Sequence, residues 1–286
     1  MFTNENKLEH LIKEALLEDI GSGDHSTLSC IPVNKKGKAV LKIKQDGILA
    51  GVRVAKEIFL QEEKDIVFHQ YKKDGDSMKA GDIAFEVEAD IHTILKCERL
   101  VLNCMQRMSG IATLTHEFAD KIKGYNSKLL DTRKTTPNFR LLEKEAVKIG
   151  GGTNHRFGLY DMIMLKDNHI DFCGGLEAAI NKAHDYITKN NLLLKIEVES
   201  RDLEDIKTIC KVGKGKVDRI MLDNFSPALI EEALAIIKGE FKTEASGGIG
   251  LNNIEEYAAT GVDFISVGGI IHQAKSLDLS LKAVIV

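Results

Sequence analysis

The chain has 286 residues, enough for two domains or one large α/β unit and too few for three. Its 39 basic residues nearly cancel its 43 acidic ones, leaving a formal charge of -4, which excludes the overall basic footprint of a nucleic-acid binder or of a protein held to anionic membranes. Five cysteines (Cys30, Cys97, Cys104, Cys173 and Cys210), odd in number and without a CxxC pair, argue against a disulfide framework and a zinc site and are expected as free thiols in a reducing cytoplasm.

In chain order, the first element is a short amphipathic helix, with Leu8, Leu11, Ile12, Ala15 and Leu16 on one face. No apolar run approaches the ~20 residues that span a bilayer, so a soluble, unexported protein is expected. Strand-like runs follow at Ala39–Lys44, Val67–Tyr71 and Ile83–Val87, broken by glycine and Asp-Gly turns, with a helix at Val52–Leu60. Together they predict a mixed α/β unit over the first hundred or so residues. The spacing from Thr93 to Met108 predicts a helix on which Arg99, Asn103, Gln106 and Arg107 fall within about one-third of the circumference. That stripe is either a solvated face or one turned to a site or an interface.

Beyond about residue 110 the rhythm becomes short apolar strands alternating with helical segments: Lys128–Leu130, Met162–Leu165, Leu193–Val198, Arg219–Leu222, Lys242–Ala245 and Phe264–Val267. They close on Asp131, Lys166, Glu199, Asp223, Ser246 and Gly268. Repeated βα units favour parallel strands, which in a barrel-like arrangement open all their C-termini on one face. The expected division is therefore 1–110 and 111–274, with the tail 275–286 packed on either part.

The chemistry concentrates at those strand ends. Between Asp131 and Ile170 the chain reads DTRKTTP, GGGTNHRFGLYDM and KDNHI, bringing Arg133, Lys134, His155, Arg156 and Lys166 together as a polyanionic substrate requires. Lys166 follows an apolar run and could serve Schiff-base chemistry, but among so many cations anion binding is the better reading. Glu199 and Asp223 can hold Mg²⁺, directly or through water, or hydrogen-bond sugar hydroxyls; each alone could equally be a helix cap. The glycine turns Ser246–Gly248 and Val267–Gly269 can aim backbone N–H groups at a phosphate. His155 and His169 are the histidines with functional context, and no H-x-E or H-E-x-x-H metal spacing occurs.

These residues resemble the quinolinate phosphoribosyltransferases of NAD biosynthesis over nearly the whole chain, from EDIGSGDHST at residue 18 through CERLVLNCMQRMSGIATLT, DTRKTTP, NHRFGLYDMIMLKDNHI, IEVE and MLDNF to EASGGI and GVDFISVGG. The resemblance implies an N-terminal α/β sandwich and an incomplete α/β barrel, in a cytoplasmic homodimer with the active site at the subunit junction. It implies that quinolinate and phosphoribosyl pyrophosphate give nicotinate mononucleotide, pyrophosphate and carbon dioxide, with Mg²⁺. Arg133, His155 and Arg156 would then grip the quinolinate carboxylates, with Thr132 in the same substrate-binding run and Lys134 and Lys166 on carboxylate and phosphate charge. Glu199 and Asp223 would hold the ribose hydroxyls and magnesium pyrophosphate, and Ser246, Gly247, Gly248, Val267, Gly268 and Gly269 the 5′-phosphate. Arg99 would reach the neighbouring subunit's site.

The sequence departs from the family pattern where Asn138 stands in place of the usual glycine of TTPG, where Leu100 follows the CER motif, and where Gly269-Ile270-Ile271 replaces a more polar run. Three other readings compete: a fold relative associated with molybdenum transport, which generally lacks the KDNH element present here; a Schiff-base aldolase using Lys166; and a non-catalytic anion binder, which would be expected to have lost Glu199 or Asp223.

Overall fold

The computed structural model describes residues 4–284. The chain forms two compact units, the first comprising the chain up to His116, Thr135–Gly151 and the chain from Ile270 onward, the second Glu117–Lys134 and Gly152–Gly269. The position expected for a boundary, residue 110, falls inside one unbroken helix, Ile91–Lys121. Gly110 does not interrupt that helix. It is the point where another strand of backbone passes close by, since a Cβ there would lie 2.0 Å from the Lys275 carbonyl oxygen.

The first unit holds α1 (Asn4–Ile20), α2 (His25–Cys30), β1 (Lys36–Ile43), β2 (Gly47–Ile48), α3 (Val52–Glu62), β3 (Val67–Gln70), β4 (Ser77–Met78), β5 (Ile83–Asp90) and most of α4 (Ile91–Lys121). A four-stranded sheet runs β12-β1-β5-β3, where β12 is Leu279–Val284 and pairs antiparallel with β1. The apolar face of α3 buries Val52, Val54, Ala55, Ile58 and Phe59. Phe59 meets Phe85 edge-on at 6.4 Å and Phe68 stacks on Phe85 at 4.5 Å. Each fully buried aromatic of this kind contributes roughly 2–3 kcal/mol.

The polar stripe on α4 divides in two. Gln106 donates to the Leu279 carbonyl, and Arg107 donates to buried Glu143 and to the Ile271 and Ala274 carbonyls, so both fasten the C-terminal segment and α5 (Arg140–Ile149) to α4. Arg99 and Asn103 remain exposed.

The second unit is built on β6 (Lys128–Leu130), β7 (Ile163–Leu165), β8 (Ile196–Ser200), β9 (Arg219–Asp223), β10 (Lys242–Ser246) and β11 (Phe264–Ser266). They form one sheet in the order β6-β11-β10-β9-β8-β7, and each neighbouring pair is parallel. The sheet is open between β6 and β7, which makes the expected barrel incomplete. Between the strands lie α6 (Asp167–Cys173), α7 (Leu176–Lys189), α8 (Leu203–Val212), α9 (Pro227–Ile237) and α10 (Ile254–Ala259), and α11 (Gly269–His272) follows β11. Local chemistry starts them: Asp202 caps α8 by accepting from Asp205 N, and Ser226 caps α9 ahead of Pro227.

One strand differs from expectation. β8 begins at Ile196, not Leu193, whose side chain is 103% exposed, and it is Ile196 N that is anchored, donating to Asp218. Every residue of β8 is buried, Glu197 and Glu199 included. Successive side chains alternate in direction, so the apolar Ile196 and Val198 share one face and the two glutamates the other. Among the described residues no helix is long and apolar enough to cross a membrane.

Candidate active site

Because all six strands are parallel, their C-terminal ends lie along one edge of the sheet. Lys166 N-caps α6 directly after β7, and its Nζ donates to Glu199 Oε2 at 3.0 Å. The Lys166 side chain is 46% exposed, so the apolar burial that Schiff-base chemistry was to draw on is absent. His169 serves locally, its Nδ1 accepting from Lys166 N. Its placement is that of a cap.

Asp223 closes β9 beside this pair. Burial and the negative charge of Glu199 raise its pKa above the ordinary carboxylate value, with Lys166 acting in the opposite sense. Two acids that repel each other at a strand-end edge form a seat for a divalent cation or for sugar hydroxyls. A donor set of this kind would fit a divalent cation such as magnesium.

The adjoining turn carries a residue that strand-end reasoning passed over. Asn224 adopts φ +59°, donates its backbone N–H to the Ser246 carbonyl and its side-chain amide to Asp223 Oδ2. Its Oδ1 lies where a side chain on Gly247 would go, since a Cβ there would be 2.1 Å away, and Gly247 itself has φ +95°. Asn224 thus joins the acid on β9 to the glycine turn Ser246–Gly248. The other turn, Val267–Gly269, leads straight into α11.

Arg133 and Arg156 form the cationic side. Burial first, then the positive charge of Arg133, lowers the Arg156 pKa, while Glu197 and Asp161 oppose that shift. Two guanidinium groups held close enough to repel are stabilised by an anion that accepts from both. Arg156 also donates to the Met162 carbonyl, which limits its swing. Thr132 accepts from Lys134 N, fixing the turn, and the Lys134 side chain is exposed. Asp131 is no mouth residue; it is fully buried and accepts from His155 N at 2.8 Å.

His155 is also buried. Its Nε2 lies 2.9 Å from Glu197 Oε2 and 3.4 Å from Glu244 Oε2, and Arg219 Nη1 lies 2.6 Å from the same Glu244 oxygen. Arg219 rests on the Phe264 ring at 4.1 Å from its centroid. Burial opposes a charged His155 ring, but the two carboxylates outweigh it and carry its pKa up to about 9. Burial also raises Glu197, whereas at Glu244 burial is outweighed by His155 and Arg219, which hold it low. The donor atoms of His155, Glu197 and Glu244 lie within 4.8 Å of one another, a spacing a metal could use. Arg219 already supplies the cation there. Glu244 and Arg219 belong to the consecutive strands β10 and β9, and the only sequence signal for them is a charged residue within, or at the start of, a short apolar strand.

Arg99 lies on α4 in the first unit, exposed. The EDIGSGDHST motif also lies in that unit, where Asp24 caps α2 by accepting from Thr27. Asn138, in place of the usual glycine, has φ +62°, the left-handed conformation that asparagine tolerates.

A parallel α/β sheet that gathers paired guanidinium groups, paired acids and glycine turns at its strand ends defines an enzyme acting on a polyanionic small molecule. Residues 24–109 match the family described as "Quinolinate phosphoribosyl transferase, N-terminal domain" and residues 111–282 its C-terminal domain counterpart. The chain belongs to the quinolinate phosphoribosyltransferase family. It is 41% identical over 288 aligned positions to "Quinolinate phosphoribosyltransferase [decarboxylating] 2b, mitochondrial" of Nicotiana tabacum, covering 96% of this chain and 82% of that one. It is 40% identical to the "Probable nicotinate-nucleotide pyrophosphorylase [carboxylating]" of Bacillus subtilis, covering 97% and 94% of the two chains. The solved structure of NadC from Streptococcus pyogenes superposes with a TM-score of 0.90 at 37% identity, covering 100% of this chain and 99% of that one.

Proposed function

We propose that this chain transfers the phosphoribosyl group of phosphoribosyl pyrophosphate to the ring nitrogen of quinolinate and releases carbon dioxide, giving nicotinate mononucleotide and pyrophosphate in de novo NAD biosynthesis. The observation that carries this reading is the pair Arg133 and Arg156, close enough for the Arg133 charge to lower the Arg156 pKa, and so suited to a ligand with closely spaced carboxylates. Quinolinate has two on adjacent ring carbons. Arg133 and Arg156 grip them, Thr132 fixes the turn, and Lys134 and Lys166 add charge for carboxylate and phosphate. His155 lies beneath them, its Nδ1 accepting from Arg156 N.

Departure of pyrophosphate leaves an oxocarbenium-like ribose, which the carboxylates of Glu199 and Asp223 stabilise while they hold its hydroxyls. Glu199 and Asp223 would also hold magnesium, which when bound would neutralise charge on the leaving pyrophosphate. The glycine turns Ser246–Gly248 and Val267–Gly269 receive the 5′-phosphate on backbone N–H groups. Once the ring nitrogen is glycosylated and cationic, the adjacent C2–carboxylate bond breaks, its electron pair stays on C2, and a proton replaces the carbon dioxide. The enzyme works in the cytoplasm as a homodimer, with Arg99 reaching the partner's site.

The test is a product assay with quinolinate, phosphoribosyl pyrophosphate and Mg²⁺, with nicotinate run in parallel. Nicotinate mononucleotide formed from quinolinate is the expected result. No turnover of either pyridine by folded protein would overturn the reading.

A further inference from the structure

We propose that Glu197 is the positioning residue of the anion seat, acting through the His155 ring to fix the backbone from which Arg156 projects. This rests on the reading of Arg156 as a quinolinate contact. His155 is fastened at three atoms: its backbone N donates to Asp131, its Nε2 donates to Glu197 at 2.9 Å, and its Nδ1 accepts from Arg156 N at 2.7 Å. The last contact joins the imidazole to the peptide group that carries Arg156. A ring rotation that lost Glu197 would therefore move the guanidinium. Nε2 carries a proton in both the neutral tautomer and the imidazolium, so Glu197 is the acceptor in either state, while the contact from Arg156 N to Nδ1 belongs to the neutral ring.

Glu197 is held in turn. Its side chain is 0% exposed on β8, and Arg219 on the adjoining strand approaches Glu197 Oε2 at 3.8 Å while bonding Glu244 at 2.6 Å. Arg219 bridges the Glu197 and Glu244 carboxylates, and Glu244 Oε2 stands off the same His155 Nε2 at 3.4 Å, so Glu197, at 2.9 Å, is the nearer support of the ring through which Arg156 is held. None of these strand residues, Glu197, Arg219 and Glu244, lies at the C-terminal end of its strand, where substrate is met. The remaining oxygens, Glu197 Oε1 and Glu244 Oε1, make no hydrogen bond within the protein and are buried. That cost is tolerated for a rigid support.

Three substitutions separate reach from charge. Glu197→Gln keeps an acceptor at the same distance, Glu197→Asp keeps the charge but withdraws it by one methylene, and Glu197→Ala removes both. The expected result is a rise in the quinolinate KM of roughly tenfold or more for Asp and Ala, with the phosphoribosyl pyrophosphate KM changed less than about twofold and Gln near wild type. The low-field ring N–H resonance of His155 should persist in the Gln variant and move or vanish in the Asp variant, which stands in where Ala fails to fold. Damage from Gln that exceeds damage from Asp, or equal rises in both KM values, would overturn the proposal. An inactive wild-type enzyme would instead overturn the quinolinate reading, and this inference with it.

Discussion

Lys166 Nζ donates to Glu199 Oε2 across 3.0 Å, so a cation assigned to the substrate and an acid assigned to the ribose hold each other at the ends of neighbouring strands. Under the proposed function each exchanges its partner when substrate binds. Glu199→Gln is expected to lower kcat/KM by about 10²-fold, and Lys166→Met by a similar factor. The double variant should lose less than the product of the two, as a double-mutant cycle in steady-state kinetics would reveal. Because Lys166 is half exposed, the unfolding free energy of the single variants should change by about 1 kcal/mol or less.

Gly247→Ala tests the glycine turn. Its φ of +95° strains any side chain, and the new methyl would meet Asn224 Oδ1 at 2.1 Å. The expected cost is about 1–3 kcal/mol of stability together with a raised KM for phosphoribosyl pyrophosphate, because the displaced Asn224 also bonds Asp223. Gly248→Ala has open space around its Cβ at φ +64° and should show only the smaller backbone penalty. Chemical denaturation and kinetics on both variants would check the ranking.

Glu143 is a structural acid. It is fully buried and accepts from Arg107, from Thr136 N and from the Thr136 hydroxyl. Glu143→Ala leaves the Arg107 charge without its carboxylate and should cost about 3–5 kcal/mol, visible as a large fall in Tm.

Stability should fall in alkali because of His155. Its folded pKa, about 9, lies above the ordinary histidine value of 6.5, so its contribution is fully present below pH 6.5 and is lost as the pH rises through 9. The shift corresponds to at most roughly 3 kcal/mol, reduced because a protonated ring gives up the Arg156 N–H contact. Urea titrations between pH 6 and 10 should show this decline, and His155→Gln should flatten it.

The thiols should separate by burial. Cys97 and Cys104 are pushed up to about 12 by burial, whereas Cys30 is exposed. A thiol reagent at pH 8 should modify Cys30 in native protein and reach Cys97 and Cys104 only on unfolding. Mass spectrometry of the labelled chain would read this directly.

Much of the second unit was legible because its strands are short apolar runs that each end on a polar or glycine residue. Lys128–Leu130 coincides with the observed strand, and Arg219–Leu222 and Lys242–Ala245 each miss it by one residue. Leu193 misled because three consecutive leucines precede a strand that starts only at Ile196. The cations of the NHRF and KDNH runs were visible as residues, but not their partners. Whether His155 meets substrate or Glu197 depends on Glu244 and Arg219, which the register of β9 and β10, far along the chain from residue 155, brings to it. The clustering of Thr135–Gly151 with the first unit was equally hidden, since it rests on contacts such as Arg107 to Glu143 between separate helices.

The pairing of β12 with β1 sets an order on the birth of the molecule. Lys38 faces Val284 and Ile43 faces Leu279, so one strand of the first sheet is made only after every strand of the second. As the ribosome feeds the chain out, β1 waits with one flank unpaired while all six strands of the parallel sheet emerge. That exposed flank is a template for wrong partners during synthesis, and its closure is a late, long-range event that slows maturation.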